Sequence, residues 1–310
     1  MPARQCFETL KYVIQQAKPG EKMVINSAEF YGPDSANLKL LSRFFTRYPE
    51  LSEQALVVVK GGMGGFKANA GPPSMQPDSS SEALRLSVEG NAKALSPKRM
   101  DVFELGRIDK SVPIEEAMKT LVKLRDEGWF DYIGLSECSA ATLERAVTVS
   151  PILTVEIEIS PMAWEEETRK VLAVAEKPGV NAAILAYSPM GRGAFVGISY
   201  EDIPAIVKKM FPRFQEENWA NNKKLQDKLK VLAEQCGVPI NQLALAWVLS
   251  TSPNVVPIPG TTKLANAESN FAAISVELSD EDLAEMTKIV EEAEIHGQRF
   301  PEAHNHLNWG

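Results

Sequence analysis

Short apolar runs alternate with longer periodic stretches along the whole chain. The runs are MVIN (23–26), ALVVVK (55–60), MDVFEL (100–105), YIGLS (132–136), TVEIEIS (154–160), AAILAYS (182–188) and VVPIPG (255–260). Each is short enough for a buried strand and too short for an average helix. Between them the period lengthens. In IEEAMKTLVKLRDEG (114–128) apolar residues recur at Ala117, Leu121 and Leu124, Glu115 and Lys119 stand one turn apart, and Gly128 supplies a stop. NNKKLQDKLKVLAEQCG (221–237) and NQLALAWVLSTS (241–252) repeat the pattern, and LKLLSRFFTRY follows MVIN. Strands alternating with helices predict a parallel sheet covered by helices, and the closed eight-stranded (β/α)8 barrel of the TIM type leads among such architectures. No linker splits the chain, so residues 1–310 are read as a single domain. Seven strand candidates are present where a barrel has eight, and the sequence opens on a helix, PARQCFETLKYVIQQA. A first strand ahead of that helix is therefore expected to be missing.

Composition narrows the function. The chain is 44% hydrophobic and 24% charged, enough to bury a large core. A net charge of -8 offers no basic stripe for nucleic-acid phosphates. Cys6, Cys138 and Cys236 fit neither a zinc spacing nor a disulfide framework, so a reducing compartment, cytoplasmic with the nucleus also open, is the expectation. The N-terminus lacks the apolar core of a secretory signal, and no apolar run is long enough to span a membrane.

Candidate chemistry gathers where strands end. INSAEFYG (25–32) delivers a phenol, Tyr31, into a polar turn, and ALVVVK ends on Lys60. Catalytic groups of a parallel barrel sit at such ends, although a tyrosine closing a turn and a lysine in a structural ion pair are the plain alternatives. GGMGGFKANAGPPSMQPDSS (61–80) is read as a mobile connection at the same end; it lacks the GK[ST] of a phosphate loop. His304 and His306 lack a third ligand, which favours a flexible tail over a metal site, and EEAE (291–294) reads as a solvated helix face.

Taken in order, SAEFYG, VVVKGG, DVFELGRID, YIGLSECS, AYSPMGRG and VPIPGTTKLANAESNFAAI resemble motifs of the aldo-keto reductases from residue 6 to about 290. The resemblance implies a (β/α)8 barrel that reduces carbonyls with NADPH. The family's proton relay of Asp, Tyr, Lys and His falls here on Asn26, Tyr31, Lys60 and Gly106, so half of it is replaced. A phenol titrates near ~10 in water, and an ammonium beside it favours the phenolate; Lys60 is placed to supply that charge. Gly106 removes an imidazole and is expected to leave volume beside the reacting atoms. Strand alternation points its neighbour Arg107 the other way.

The resemblance also assigns the cofactor. Ser136, Glu137 and Glu156 fall on the nicotinamide carboxamide, and Tyr187 stacks on its ring. Ser188, Met190 and Gly191 lie against the pyrophosphate. Thr261, Thr262 and Lys263, read as a helix start, hold the 2'-phosphate, with Asn266 and Asn270 near the adenine. Glu156 also alternates with Glu158 on one strand face, and Lys263 also suits a plain helix cap. Asn266 and Ser269 depart from the family's usual arginine and glutamate. Residues 290–310 correspond to the family's tail over the barrel mouth, which shapes the substrate pocket. INSAEFYGP, FELGRID, GLSECSAATLERA and VEIEIS further resemble the fungal pyridoxal reductases, which implies pyridoxal as the aldehyde substrate. The reading that competes is a noncatalytic relative that binds NADP or a partner chain, and the missing strand would favour self-association.

Overall fold

A computed structural model describes residues 3–64 and 76–310. Seven strands form one parallel sheet in chain order: β1 (Met23–Ala28), β2 (Ala55–Gly61), β3 (Val102–Leu105), β4 (Tyr132–Ser136), β5 (Thr154–Glu158), β6 (Ala183–Tyr187) and β7 (Val255–Pro257). Each apolar run of the sequence holds one of them. Their limits differ for local reasons. β1 continues through Ser27 and Ala28, which pair with Val59 and Lys60 of β2. β3 begins after Asp101, whose carboxylate accepts from the Val57 amide at 2.7 Å. β7 stops at Pro257, which has no N–H for the ladder.

The helices cover the sheet. Ile114–Asp126 ends ahead of Gly128, whose φ of 92° suits glycine. The segment predicted from residue 221 begins earlier, at Glu216, and runs to Gln235. Thr261, Thr262 and Lys263 precede the helix Leu264–Ala272, with Lys263 as its N-cap. His304 lies within a short helix, Glu302–Asn305, rather than in a flexible tail. Of the 61–80 connection, residues 65–75 lie outside the described residues, and Ser81 already begins a helix, Ser81–Leu95, capped by Ser80. No described helix is long and apolar enough to cross a membrane.

Alternation along each strand creates two cores. One face of the sheet, with Ile25, Val57, Phe103, Ile133, Val155 and Ile184, packs on the helices. The other encloses a small cluster of Val58, Val102 and Leu185, with Val24, Leu56, Leu153 and Ile258 against it. Two residues further along β2, β3 and β6, the inward positions hold Lys60, Glu104 and Tyr187. The inside of the sheet is thus apolar towards the strand starts and polar towards the strand ends.

Candidate active site

At the polar end, three strands converge on one ammonium. Lys60 is 2 % exposed. Its Nζ donates to Asn26 Oδ1 on β1 at 2.5 Å and to both oxygens of Glu156 on β5, at 3.0 and 2.8 Å. Asn26 Nδ2 closes the triangle by donating to Glu156 Oε2 at 2.6 Å. Burial alone would discharge Lys60. The Glu156 carboxylate, bonded to Nζ through both oxygens, foremost opposes this and holds the amine above its ordinary range, so Lys60 is an ammonium.

Tyr31 lies over this group. Its ring centroid is 5.0 Å from Lys60 Nζ, and it is 39 % exposed, which leaves the phenol accessible from the mouth. The turn that carries it is fixed from both sides. Its backbone N–H reaches Ala28 O at 3.2 Å, and its carbonyl accepts from Asn37 at 3.1 Å. Before it, buried Glu29 accepts from the Met63 amide at 2.8 Å and from the Ser87 hydroxyl, which ties the β1 turn to the chain leaving β2.

Gly106 is buried at the end of β3. A Cβ there would lie 3.0 Å from Met63 Cγ and 3.3 Å from Phe30 Cε1, so these side chains already fill the space the sequence suggested was open. Arg107 also departs from expectation. β3 ends at Leu105, so alternation no longer applies, and Arg107 turns into the mouth. Its Nη1 bonds Gly106 O at 2.6 Å and approaches Ser136 Oγ at 3.4 Å, and its guanidinium lies 5.8 Å from the Phe300 ring. It forms no ion pair among the described residues.

The mouth is otherwise laced with charge. Glu137, in a left-handed conformation with φ of 53°, takes a bidentate contact from Arg299 at 3.0 and 2.8 Å and accepts from Tyr187 Oη at 2.7 Å. Burial would raise its pKa, but Arg299 overrides that and lowers it. Burial and the neighbouring Glu137 push the Tyr187 phenol well up, so Tyr187 is a neutral donor. Arg192 pairs with Glu158 at 2.9 Å and stands 5.7 Å from the Tyr187 ring and 5.1 Å from that of Phe300. Residues 299–310 therefore lie across the strand ends: Trp309 Nε1 donates to Glu165 at 3.0 Å and the Gly310 amide to Glu137 O at 3.0 Å.

The residues assigned to a dinucleotide form two ends. At the buried end stand Ser136, Glu137, Glu156 and Tyr187. Both glutamates already hold protein cations, yet their remaining lone pairs can accept from an amide NH2. Ser188, with φ of 50°, accepts from the Gly191 amide at 2.8 Å; a Cβ at Gly191 would lie 2.8 Å from the Phe195 ring, so that backbone can approach a ligand only as glycine. Met190 lies between them, partly buried. At the exposed end, Lys263 has no ion-pair partner among the described residues, and Thr261 Oγ1 accepts from its amide at 3.1 Å. Asn266 is exposed and Asn270 half-buried on the following helix. A free cation beside hydroxyls at a helix start fits a phosphate, and the carboxylate oxygens of Glu156 and Glu137 fit an amide by their chemistry, as acceptors. Sequence reasoning missed Glu104, Arg299 and Glu165. The signal for Glu104 was a charged residue at an inward position of an apolar run.

The model of the Aldo/keto reductase family matches residues 1–291. A protein of Schizosaccharomyces pombe named as a probable pyridoxal reductase is 31% identical over 310 residues, covering 96% of this chain and 89% of its own. Another from the same organism, an aldo-keto reductase whose name specifies NADP(+), is 33% identical over 279 residues, covering 89% and 81%. Among solved structures, a glycerol dehydrogenase from Gluconobacter oxydans superposes with a TM-score of 0.77 at 23% identity, covering 96% of this chain and 89% of that one, a likeness of fold.

Proposed function

The chain belongs to the aldo/keto reductase family and is an NADP-dependent oxidoreductase; from that premise we propose that it reduces pyridoxal to pyridoxine, with Tyr31 as the proton donor. The observation that carries this reading is the half-exposed Tyr31 ring held over the buried ammonium of Lys60. When bound, NADPH supplies the hydride. The residues present that would hold it are Ser136, Glu156 and Tyr187 at the nicotinamide end and Thr261, Thr262 and Lys263 at the 2'-phosphate end. As charge develops on the carbonyl oxygen, Tyr31 donates its proton there, and the ammonium of Lys60 stabilises the phenolate left behind.

The choice of pyridoxal is supported by the relative of that name and by Arg107. A guanidinium without a carboxylate partner among the described residues, beside the Phe300 ring, suits an aromatic aldehyde with an oxygen next to the carbonyl. That phenolic oxygen can supply polarisation in place of the imidazole absent at Gly106. The reading is tested by NADPH oxidation with pyridoxal, beside Tyr31→Phe. Loss of the phenolic proton is expected to lower kcat by about 10²- to 10⁴-fold while NADPH still binds. Unchanged turnover in the variant would remove Tyr31 as the acid. NADPH binding with no turnover of pyridoxal or benzaldehyde by the folded parent would support the noncatalytic reading instead.

A further inference from the structure

Glu104 is a buried acid that this reduction leaves unused. It projects inward from β3, in register with Lys60 of β2, and is 0 % exposed. Its Oε2 accepts from Thr154 Oγ1 at 3.0 Å, while its Oε1 has no hydrogen-bond partner among the described residues. Glu156, which reaches the same Lys60 from β5, brings its negative charge to bear on Glu104. The intervening strand makes room for it: a Cβ on Gly134 would lie 2.9 Å from Glu104 Oε2 and collide with Thr154 Oγ1.

Charge and hydrogen bonding then have one joint solution. One ammonium, Lys60, faces two carboxyls in a site closed to water. With both ionised, the cluster would keep a net negative charge and set two acceptors against each other, with no donor between them. A single proton on Glu104 makes the cluster neutral and gives the unpartnered oxygen something to donate. Asn26 fits the same scheme. Its amide accepts from Lys60 and donates to Glu156; a carboxylate at this position could not donate, and would add a third negative group.

We propose that Glu104 is held as a neutral carboxylic acid that donates its O–H to Glu156, and that it serves as a positioning residue keeping Glu156 turned onto Lys60 beneath Tyr31. The titratable groups facing it are Lys60 from β2, Glu156 from β5 and, beyond β4, the thiol of Cys138. Burial and Glu156 both hold the Glu104 pKa well above the ordinary 4.5. The folded chain therefore keeps a proton that the unfolded chain has released. The sign follows: stability falls as pH rises from the ordinary carboxyl value through the raised one.

The test uses the full chain without cofactor. The infrared band of a protonated carboxyl is expected to persist at neutral pH, to vanish in Glu104→Gln, and to shift in Thr154→Val, which removes the donor to its oxygen. Glu104→Gln keeps a neutral group with an N–H for Glu156, so its unfolding midpoint loses the parent's decline with pH. In turnover, which rests on the reductase reading, Glu104→Leu is expected to lower kcat on the order of tenfold, the worth of one positioning hydrogen bond, and Glu104→Gln to recover most of that loss. No protonated-carboxyl band in the parent, or a band that survives in Glu104→Gln, would overturn the proposal. A parent without pyridoxal activity would sink the pyridoxal reading alone, because the infrared measurement needs neither substrate nor cofactor.

Discussion

Gly106, which the family resemblance sets at the histidine of the proton relay, is not an empty position. The absent imidazole is not matched by empty space, because Met63 and Phe30 close to within 3.0 and 3.3 Å of where a Cβ would stand. Nor does positive charge leave the neighbourhood, since Arg107 turns in beside Ser136. Gly106→His therefore does not simply restore a donor. The ring must displace Met63 or Phe30. We expect overpacking to lower stability by about 1–3 kcal/mol. We also expect kcat/KM to fall more for pyridoxal, which presents a phenolic oxygen to Arg107, than for benzaldehyde, which has none. Steady-state kinetics with both aldehydes measures the ratio; equal losses would show that Arg107 does not read the substrate.

The elements were legible in the sequence to different depths. All seven strands were visible, because a strand buried on both faces reads as a continuous apolar run. The helix Ile114–Asp126 was visible through its period and its glycine stop. What stayed hidden depends on where an element ends. The reversal of Arg107 follows from β3 stopping at Leu105, and the earlier start of the helix at Glu216 follows from no periodic signal. The site itself was half legible. Tyr31 and Lys60 stand at strand ends, but the Lys60–Glu156 and Glu137–Arg299 pairs join residues far apart in sequence, and no local pattern announces them. The segment after Arg299 shows what such a pair does for an element. Arg299 is 4 % exposed and meets Glu137, Glu158 and Glu165, fastening a segment with little regular structure to the ends of β4 and β5. Arg299→Ala would leave Glu137 buried without its cation, and is expected to lower stability by about 3–5 kcal/mol. Adding Glu137→Gln to it should return part of that loss in a denaturant melt. Simple additivity of the two changes would show that the pair does not fasten the segment.

For the whole molecule the open question of the sequence was the ring. The sheet order runs from β1 to β7, and those two end strands are not hydrogen-bonded to one another among the described residues. Val256 on β7 is 37 % exposed, whereas Val58 and Val102 on inner strands are fully buried. Closure is carried from outside by helices. Gln5 Nε2 and Thr9 Oγ1, on the helix Ala3–Ile14, donate to Thr262 O at 2.9 and 3.2 Å, and Tyr12 meets Phe271 of Leu264–Ala272 edge to face at 6.0 Å. Helix contacts of this kind hold two sheet edges together less cooperatively than a continuous ladder does, so local opening should begin there. Amide exchange is expected to be faster in β1 and β7 than in β3 and β4. Tyr12→Ala and Phe271→Ala should couple by about 0.5–1.5 kcal/mol in a double-mutant cycle, and each should speed exchange in the end strands first. Because Thr262 lies beside Lys263, the same contact adjoins the residues proposed to hold the cofactor's 2'-phosphate. Loosening it should therefore weaken NADPH binding, while the Lys60–Glu156 pair itself, which joins β2 to β5, stays in place. Uniform protection across all seven strands, unchanged by either substitution, would show that the ring is closed by some other means.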